Sequence, residues 1–329
     1  MEIVLSGIRP TGNLHLGNYY GAVQSFVKMQ NEYNCYFFIA DWHSLTTHPK
    51  PEDIQKSART ILAEYIACGI DPEKATIYVQ SDVHETLELY LYLNMNCYLG
   101  ELERVTTFKE KARKQPENVN AGLLTYPTLM AADILQHRAA KVPVGKDQEQ
   151  NMEMARKCAR RFNHIYGVDF FPEPQNFYFN DHAIKVPGLD GSGKMGKSEG
   201  NCIYLYEDEK SIRKKVMRAV TDNGPTEPNS EKPEVIQNLF TLMEIASTKD
   251  TYDYFNDKWN DCSIRYGDMK KQLAEDIIKT IAPIRERILE ISSDEIRLNK
   301  IAQLGAEKAR ESAAKTLNEV RKIIGFKPY

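Results

Sequence analysis

The chain has 329 residues, of which 42% are hydrophobic, with 43 Lys and Arg against 46 Asp and Glu. This length allows two domains that each bury a core, and no apolar run is long enough to cross a bilayer. The near balance of charges excludes an all-round basic surface but not a local basic face that binds nucleic acid.

The first predicted elements are a strand, a turn and a helix. Residues 3–5 form a short apolar run, turn residues follow at 10–13, and a helix is predicted to start near His15. The first turn of such a helix has free backbone N–H groups and the positive end of the helix dipole, so it can receive an anion. Gly17 allows close approach of a ligand, and His15 and Asn18 share a face from which both can donate to a phosphate. An ordinary strand–turn–helix with a surface histidine is the alternative.

The stretch from Pro10 to Asn18 resembles the HIGH element of class I aminoacyl-tRNA synthetases, and the Tyr-x-Gly-Ala after it resembles the tryptophan branch of that family. The element alone is also similar to pantetheine-type nucleotidyltransferases, which use no tRNA. Leu5 stands where the family often has an aromatic residue, and Arg9 where it often has glutamine, so we expect a different floor of the amino-acid pocket. The resemblance implies catalytic roles for His15 and Asn18, and it implies ATP binding by Arg9, Pro10, Thr11, Gly17 and Asn18.

Two further strands with an intervening helix are predicted within the first 80 residues. Residues 35–40 indicate a buried strand, and Asp41 to His43 follow its carboxyl end, where ligands of open α/β sheets bind. His43 is therefore a candidate site residue, and a helix-capping cluster with Asp41 as cap is the alternative. A helix at 51–69 and a strand at 76–79 then predict a parallel, doubly wound, Rossmann-like α/β sheet.

A polar segment runs from Gly100 to about Asn120 and has five basic residues from Arg104 to Lys114. Such a charge run is usually a solvated loop. The motifs Gly-Glu-Leu-Glu-Arg and Thr-x-Phe-Lys-x-Lys in this segment nevertheless resemble those of bacterial tryptophanyl-tRNA synthetases. That resemblance implies that Lys111 is a mobile contact to the triphosphate of ATP.

One carboxylate lies within an apolar helical run at 121–135. Tyr126, Met130 and Asp133 lie near one face of this helix. A buried carboxylate without a partner costs several kcal/mol, so Asp133 needs a donor, and from chemistry alone we favour an arginine, a lysine or a backbone amide. The family resemblance implies instead that Asp133 accepts the indole N–H of tryptophan, that Tyr126 contacts the amino group and that Met130 packs on the ring.

Residues 141–150 predict a strand that runs into a helix, with Asp147 well placed to cap the helix. Lys146 departs from the acidic residue that is common in the family at that place. The resemblance implies that Gly145, Lys146 and Asp147 bind ATP, and that Val142, Val144 and Gln148 bind tryptophan together with His43.

Residues 191–198 match the P-loop pattern G-x-x-x-x-G-K-[ST] literally. A P-loop needs a strand directly before it and a helix directly after it, and neither flank predicts one. Lys194 to Ser198 resembles instead the KMSKS loop of class I synthetases, with Gly196 at the central serine. Two lysines in a mobile loop can follow the phosphates as charge moves onto pyrophosphate. The resemblance adds to the ATP site Val186, Lys194, Met195, Gly196, Lys197 and Ser198, with Lys194 and Lys197 in catalysis.

The remainder is predicted to be mainly helical, with a basic face at 211–220, a loop at 221–233, apolar helices at 235–245 and 266–291, and a last helix at 299–324. Basic faces are usually solvated helix surface. The catalytic interpretation makes them candidate contacts to the anticodon and the backbone of tRNA.

Six cysteines are scattered without a C-x-x-C pair, so neither a zinc site nor a disulfide framework is indicated, and we expect free thiols. No basic and apolar leader precedes the first strand, and we therefore expect a cytoplasmic protein.

The resemblance covers essentially the whole chain, with four motif regions in the family's order. It implies a Rossmann-like catalytic domain at 1–190, a mobile KMSKS-type loop at 191–198 and a helical tRNA-binding domain at 199–284, with the helix at about 285–329 packing back on the first domain. The implied reaction converts L-tryptophan and ATP, with Mg²⁺, into tryptophanyl-adenylate and pyrophosphate, and then transfers tryptophan to tRNA(Trp). The family is homodimeric, and we expect neither a membrane nor DNA as a partner. A tyrosyl-tRNA synthetase and a non-acylating RNA-binding or adenylating paralogue are the alternatives.

Overall fold

A parallel sheet forms the centre of the computed structural model, which describes residues 1–145, 148–177 and 185–326. The strands are β1 (Ile3–Ile8), β2 (Asn34–Ile39), β3 (Thr76–Val79), β4 (Lys141–Val142) and β5 (Gln175–Asn176). Their order in the sheet is β3-β2-β1-β4-β5, and all pairings are parallel. The chain runs from β1 to one edge and then returns to the other side of β1. The predicted Rossmann-like, doubly wound α/β fold is therefore confirmed, and a ligand crevice is expected between the carboxyl ends of β1 and β4.

Helices cover both faces of the sheet because its strands are apolar on both faces. Along β2, Phe37 and Ile39 belong to one core cluster and Tyr36 and Phe38 to another. Successive side chains of a strand point to opposite faces, so an uninterrupted apolar run must be buried on both.

The helices of the first half agree largely with the sequence pattern. The predicted helix at 51–69 ends before Gly69, which has φ +108, and the predicted helix at 121–135 is confirmed. A π-helical turn at Tyr19–Val23 joins the first two helices. The helices are α1 (Leu16–Asn18), α2 (Gln24–Met29), α3 (Asp41–Ser44), α4 (Pro51–Ala67), α5 (Glu85–Met95), α6 (Leu99–Leu102), α7 (Thr106–Lys114), α8 (Ala121–Leu135) and α9 (Glu149–Tyr166).

The polar segment at 100–120 is not a solvated loop, and that interpretation is wrong. It contains α6 and α7, and the start of α7 is fastened to α9. The backbone N–H of Thr106 donates to Gln150 Oε1 at 2.8 Å, and Gln150 Nε2 donates to Thr106 Oγ1 at 2.9 Å. Phe108 packs against the core. The basic residues are therefore on a helix that is held over the sheet by a few tertiary contacts.

The second half is helical, as expected. It contains α10 (Glu209–Met217), α11 (Glu234–Ala246), α12 (Lys249–Asn260), α13 (Tyr266–Ser293) and α14 (Glu295–Ile324). Sequence reasoning did not identify α12, which begins after the cap Thr248 and buries Phe255 and Trp259. It also placed the start of α14 too late, because Asp294 caps the helix by accepting the backbone N–H of Arg297.

The last helix lies directly on the edge strand β3. A Cβ at Gly305 of α14 would be only 1.7 Å from the carbonyl oxygen of Ile77. Farther along α14, Ser312 Oγ lies 3.0 Å from His137 Nδ1, inside the core. The β3 edge of the sheet is therefore covered. The division of the chain into domains at 190, 198 and 284 stays a prediction.

Within the described residues, no helix combines the length and the apolar character needed to span a membrane. The six cysteines are free, as expected, although the Sγ atoms of Cys97 and Cys158 are only 3.6 Å apart.

Candidate active site

A cavity of about 680 Å³ opens at the carboxyl ends of β1 and β4, where the strand order reverses. Its lining combines apolar side chains such as Leu5 and Phe38 with the charged side chains of Glu110 and Lys114. A Cβ at Gly7 would lie 2.5 Å from the Phe38 ring, so glycine is required for this wall. All seven residues proposed to bind tryptophan line the cavity, namely His43, Tyr126, Met130, Asp133, Val142, Val144 and Gln148. Of the proposed ATP-binding and catalytic residues, the cavity wall includes Arg9, Asn18, Lys111 and Gly145.

Asp133 is 0% exposed, and each of its carboxylate oxygens has a side-chain partner. Gln80 Nε2 donates to Oδ1 at 2.7 Å, and His43 Nε2 lies 2.8 Å from Oδ2. The expectation of an arginine, lysine or backbone donor is therefore wrong, because the strand ends of β2 and β3 bring an imidazole and an amide to this point. Burial raises the pKa of the Asp133 carboxyl, and the hydrogen bonds from His43 and Gln80 oppose that shift.

Sequence reasoning missed Gln80, although the same signal that pointed to His43 was present. Gln80 directly follows β3, as His43 follows β2, and it is 0% exposed. The backbone N–H of Trp42 donates to Gln80 Oε1 at 3.1 Å, which fixes the orientation of the amide. Asp41 Oδ1 accepts the backbone N–H groups of Trp42 and Ser81 at 3.0 Å and so ties the residues after β2 to those after β3. The alternative of Asp41 as a helix cap is wrong, because Asp41 is the first residue of α3 and Ala40 occupies its N-cap position.

Lys111 lies inside the site rather than in solvent. Its Nζ is 3.5 Å from the ring centroid of Tyr126, whose hydroxyl is hydrogen-bonded to Thr107. Burial and the nearby charge of Arg9 lower the pKa of Lys111 to about 8. Two cations that face each other in a partly desolvated cavity favour the binding of an anion.

Hydrogen bonds to its backbone hold the turn after β1. Asn18 Oδ1 accepts the backbone N–H of His15 at 3.1 Å, which closes the start of α1. The turn also pairs with a later segment, because Leu16 N–H donates to Ile203 O at 2.9 Å and Leu205 N–H donates to Leu14 O at 3.0 Å.

The imidazole of His15 is neutral at pH 7. Its side chain is buried, and burial together with the charges of Lys197 and Lys194 lowers its pKa to about 4. Its Nδ1 has no partner among the described residues. His15 can therefore offer an N–H to a phosphate, but the positive charge of the site comes from the lysines.

Glycine at position 17 is required by the packing of the chain itself, and the ATP contact expected there stays a prediction. A Cβ at this position would lie 2.8 Å from the His15 ring and 3.5 Å from Met195 Cβ. The space beside Gly17 is thus filled by the chain itself.

The segment Lys194 to Ser198 lies against the turn and does not form part of the cavity wall. Lys197 Nζ donates to Gly12 O at 2.9 Å, and the backbone N–H of Met195 donates to Val186 O at 2.8 Å. Residues 185–190 before it form no strand, and the next helix begins only at Glu209. The described flanks therefore lack the strand–loop–helix arrangement of a P-loop.

Two of the proposed ATP-binding residues, Lys146 and Asp147, lie outside the described residues, and so does any capping contact of Asp147. Gly145 and Gln148, on either side of them, line the cavity. In the structure, Gln148 occupies the N-cap position of α9.

Comparison with known proteins identifies the family. Residues 2–282 match the model of class I tRNA synthetases for tryptophan and tyrosine. A tryptophan–tRNA ligase of Porphyromonas gingivalis is 73% identical over 327 residues, which are 99% of this chain and 100% of that protein. The chain belongs to the tryptophanyl-tRNA synthetases. Among further tryptophanyl-tRNA synthetases, that of Clostridium tetani is 39% identical over 330 residues, 99% of this chain and 96% of the relative. The solved Campylobacter jejuni enzyme, complexed with ADP and tryptophan, has a TM-score of 0.87 and 33% identity, covering 98% of this chain and 100% of its own.

This membership confirms the predicted family, and the tyrosyl-tRNA synthetase and the non-acylating paralogue are not favoured. The two departures from the common tryptophanyl-tRNA synthetase pattern lie in the cavity wall. Leu5 is 2% exposed, and the exposed Arg9 side chain makes no ion pair with the described residues.

Proposed function

We propose that the chain activates L-tryptophan with ATP and then transfers tryptophan to tRNA(Trp). The observation that carries this proposal is the buried Asp133 carboxylate in the cavity wall, at a switch point whose other lining includes Arg9 and Lys111. This cavity can bind an apolar ring with a polar N–H next to Asp133 and the phosphates of a nucleotide next to the cations.

Asp133 supplies the specificity for the indole ring. A carboxylate accepts several hydrogen bonds, so the partners from His43 and Gln80 leave room for the indole N–H as a further donor. The surrounding wall is apolar, with Met130, Val142 and Val144. An amino acid without an N–H or O–H at this point would lose the hydrogen bond to Asp133. A site that is built to hydrogen-bond one substrate group can reject an analogue without that group by roughly 10⁴ to 10⁵.

In the first step, a carboxylate oxygen of tryptophan forms a bond to the α-phosphorus of ATP. The bond from that phosphorus to the bridging oxygen of the β-phosphate breaks, and pyrophosphate leaves. In the second step, a ribose hydroxyl at the end of the tRNA attacks the carbonyl carbon, and AMP leaves. No side-chain nucleophile is required, so the chain acts by positioning and by stabilising charge.

Lys111, Lys194 and Lys197 are the proposed source of positive charge for the phosphates, and His15 and Asn18 donate neutral hydrogen bonds. The solved relative from C. jejuni was complexed with ADP and tryptophan, which supports a nucleotide and an amino acid in one cavity. The other proposed ATP contacts are Arg9, Pro10, Thr11, Gly17, Gly145, Lys146, Asp147, Val186, Met195, Gly196 and Ser198.

We expect Mg²⁺ to arrive with the phosphates of ATP. The described residues contain no group of three or more carboxylate, imidazole or thiol side chains arranged for a metal ion. When bound to the phosphates, the ion would neutralise part of their charge, and no step above is assigned to it.

The basic face at 211–220 is only partly available for tRNA. Arg213 pairs with Glu275 at 2.6 Å, and Lys215 pairs with Glu207. Lys214 and Arg218 are exposed and make no ion pair within the described part of the chain, so we propose these two as contacts to the phosphates of tRNA.

Because acylated tRNA is used by ribosomes, a cytoplasmic location is part of the proposal.

We also propose that two copies associate through an apolar stripe on α5 and α6. Leu87, Leu91 and Met95 recur every four residues on one helix face and are 44%, 47% and 77% exposed. Tyr98 and Leu99 continue the stripe at 66% and 60% exposure. A contiguous apolar patch of this kind is typical of a protein–protein interface, and a second copy would bury it symmetrically.

The test is amino-acid-dependent exchange between ATP and pyrophosphate with each standard amino acid. We expect exchange with tryptophan alone. Exchange with tyrosine would reassign the Asp133 pocket within the same fold. No exchange, with slow nucleotide hydrolysis instead, would refute the mechanism.

A further inference from the structure

The buried carboxylate of Glu64 does not line the cavity, yet it holds the turn that carries His15. Glu64 lies on α4 and is 0% exposed. Its Oε2 accepts the backbone N–H of Leu14 at 2.7 Å, and its Oε1 accepts the side-chain amide of Asn13 at 3.1 Å. A charged side chain from outside the motif thus fixes the two residues that directly precede His15.

Lys197 binds the neighbouring residue of the same turn. Its Nζ donates to the carbonyl oxygen of Gly12 at 2.9 Å. Burial lowers the pKa of Lys197. The negative charge of Glu64 opposes that shift, because it attracts the ammonium group of Lys197. In this resting state, the lysine that is proposed to neutralise phosphate is held on a backbone carbonyl in the field of a carboxylate.

We propose that Glu64 is a positioning residue for this turn and for Lys197. Its hydrogen bonds hold the Asn13–Leu14 segment, and with it His15, in place. Its negative charge retains Lys197 at the Gly12 carbonyl until the phosphates of ATP displace it. This inference rests on the proposed function, because it assigns Lys197 to the phosphates.

The hydrogen bonds and the charge of Glu64 have opposite effects on the use of ATP. The hydrogen bonds keep the turn ready for catalysis, and their loss leaves the buried N–H of Leu14 without an acceptor. The negative charge, in contrast, repels the polyanionic substrate and competes for Lys197, so its removal strengthens ATP binding. Burial raises the pKa of Glu64 to about 7, and the carboxylate is therefore ionised in assays at pH 8.5.

Two variants separate these effects. Glu64→Gln keeps the shape of the side chain, accepts the Leu14 N–H and can donate to Asn13 once that amide turns over, but it has no charge. Glu64→Leu removes the hydrogen bonds as well. In tryptophan-dependent exchange at pH 8.5, we expect Glu64→Gln to lower the KM for ATP about threefold to tenfold, with kcat within about twofold of wild type. Glu64→Leu should lower kcat by at least about tenfold.

The control is Glu52→Gln, which removes one negative charge from an exposed position of the same helix and should leave the KM for ATP unchanged. Thermal unfolding of each variant shows that it is folded. Wild-type kinetics in both Glu64 variants would overturn the inference. Equal losses of kcat in both, together with lowered melting temperatures, would show a merely structural role and would also overturn it. If wild type itself shows no tryptophan-dependent exchange, the proposed function fails instead.

Discussion

Asp133 is the residue on which the proposed amino-acid specificity depends. Replacing Asp133 with Asn keeps one acceptor for Gln80 but presents an N–H₂ group towards His43 and the indole N–H. We expect kcat/KM for tryptophan to fall by about 10²-fold or more, while ATP affinity stays within about twofold. Exchange kinetics and nucleotide titration measure the two quantities. Asp82→Asn, two residues from Gln80 but outside the cavity, is the control, and an unchanged kcat/KM for tryptophan would remove Asp133 from the site.

The lowered pKa of Lys111 leads us to expect that the reaction depends on pH. Its pKa is lowered to about 8, so it is protonated below this pH and loses its charge as the pH rises through it. The kcat/KM for ATP, which reports the free enzyme, should therefore fall as the pH rises above about 8. Lys111→Arg keeps its charge at all these pH values, so this fall should be absent or move to much higher pH. Identical pH profiles for the two proteins would contradict the assignment of Lys111 to the phosphates.

The stability of the fold should depend strongly on the close contact between the helix α14 and the edge strand β3. A Cβ at Gly305 would lie 1.7 Å from a backbone oxygen of β3, which cannot rotate away. Gly305→Ala should destabilise the fold by more than about 2 kcal/mol. Gly267→Ala in α13 meets nothing within 4 Å and should be neutral or stabilising. Urea unfolding compares the two variants, and equal stabilities would show that α14 does not sit tightly on β3.

The loop at 194–198 is expected to accept serine at its central position. Gly196 does not have a positive φ, and a Cβ there would meet only the carboxylate end of the exposed Glu199 side chain, which can move aside. Gly196→Ser should therefore change the kcat of exchange by no more than about threefold. Gly200→Ser is the matched variant. We expect it to lower the kcat of exchange, because Gly200 has φ +67, a backbone conformation that serine rarely adopts. A tenfold loss in Gly196→Ser would mean that glycine is required in the closed loop.

For the whole molecule, the apolar stripe predicts the oligomeric state. Leu91→Asp combined with Met95→Asp places two charges in the centre of the stripe, so we expect the proposed dimer to dissociate into monomers. Light scattering after size-exclusion chromatography measures the mass. Ile296→Asp is the control, because Ile296 is 83% exposed at the start of α14, outside the stripe. A double variant that remains dimeric would exclude this face as the interface.

Local sequence patterns predicted the fold class and most of the residues that line the candidate site. Strands at 35–40 and 76–79 and the helix at 121–135 follow from local apolar patterns, because the period of buried side chains is a property of each segment. His43, Tyr126, Met130 and Asp133 were found from their places at strand ends or on one helix face and from the resemblance of their motifs, and all four line one cavity.

Which groups contact each other in and around that cavity depends on contacts between distant parts of the chain. Asp133 meets His43 and Gln80 because β2 and β3 are neighbours in the sheet, and Glu64 meets Leu14 across a separation of 50 residues. The polar segment at 100–120 is helical because α9 and the core hold it. Such contacts join residues that are distant in the chain, and their energies depend on burial and on the partner, neither of which a local pattern contains.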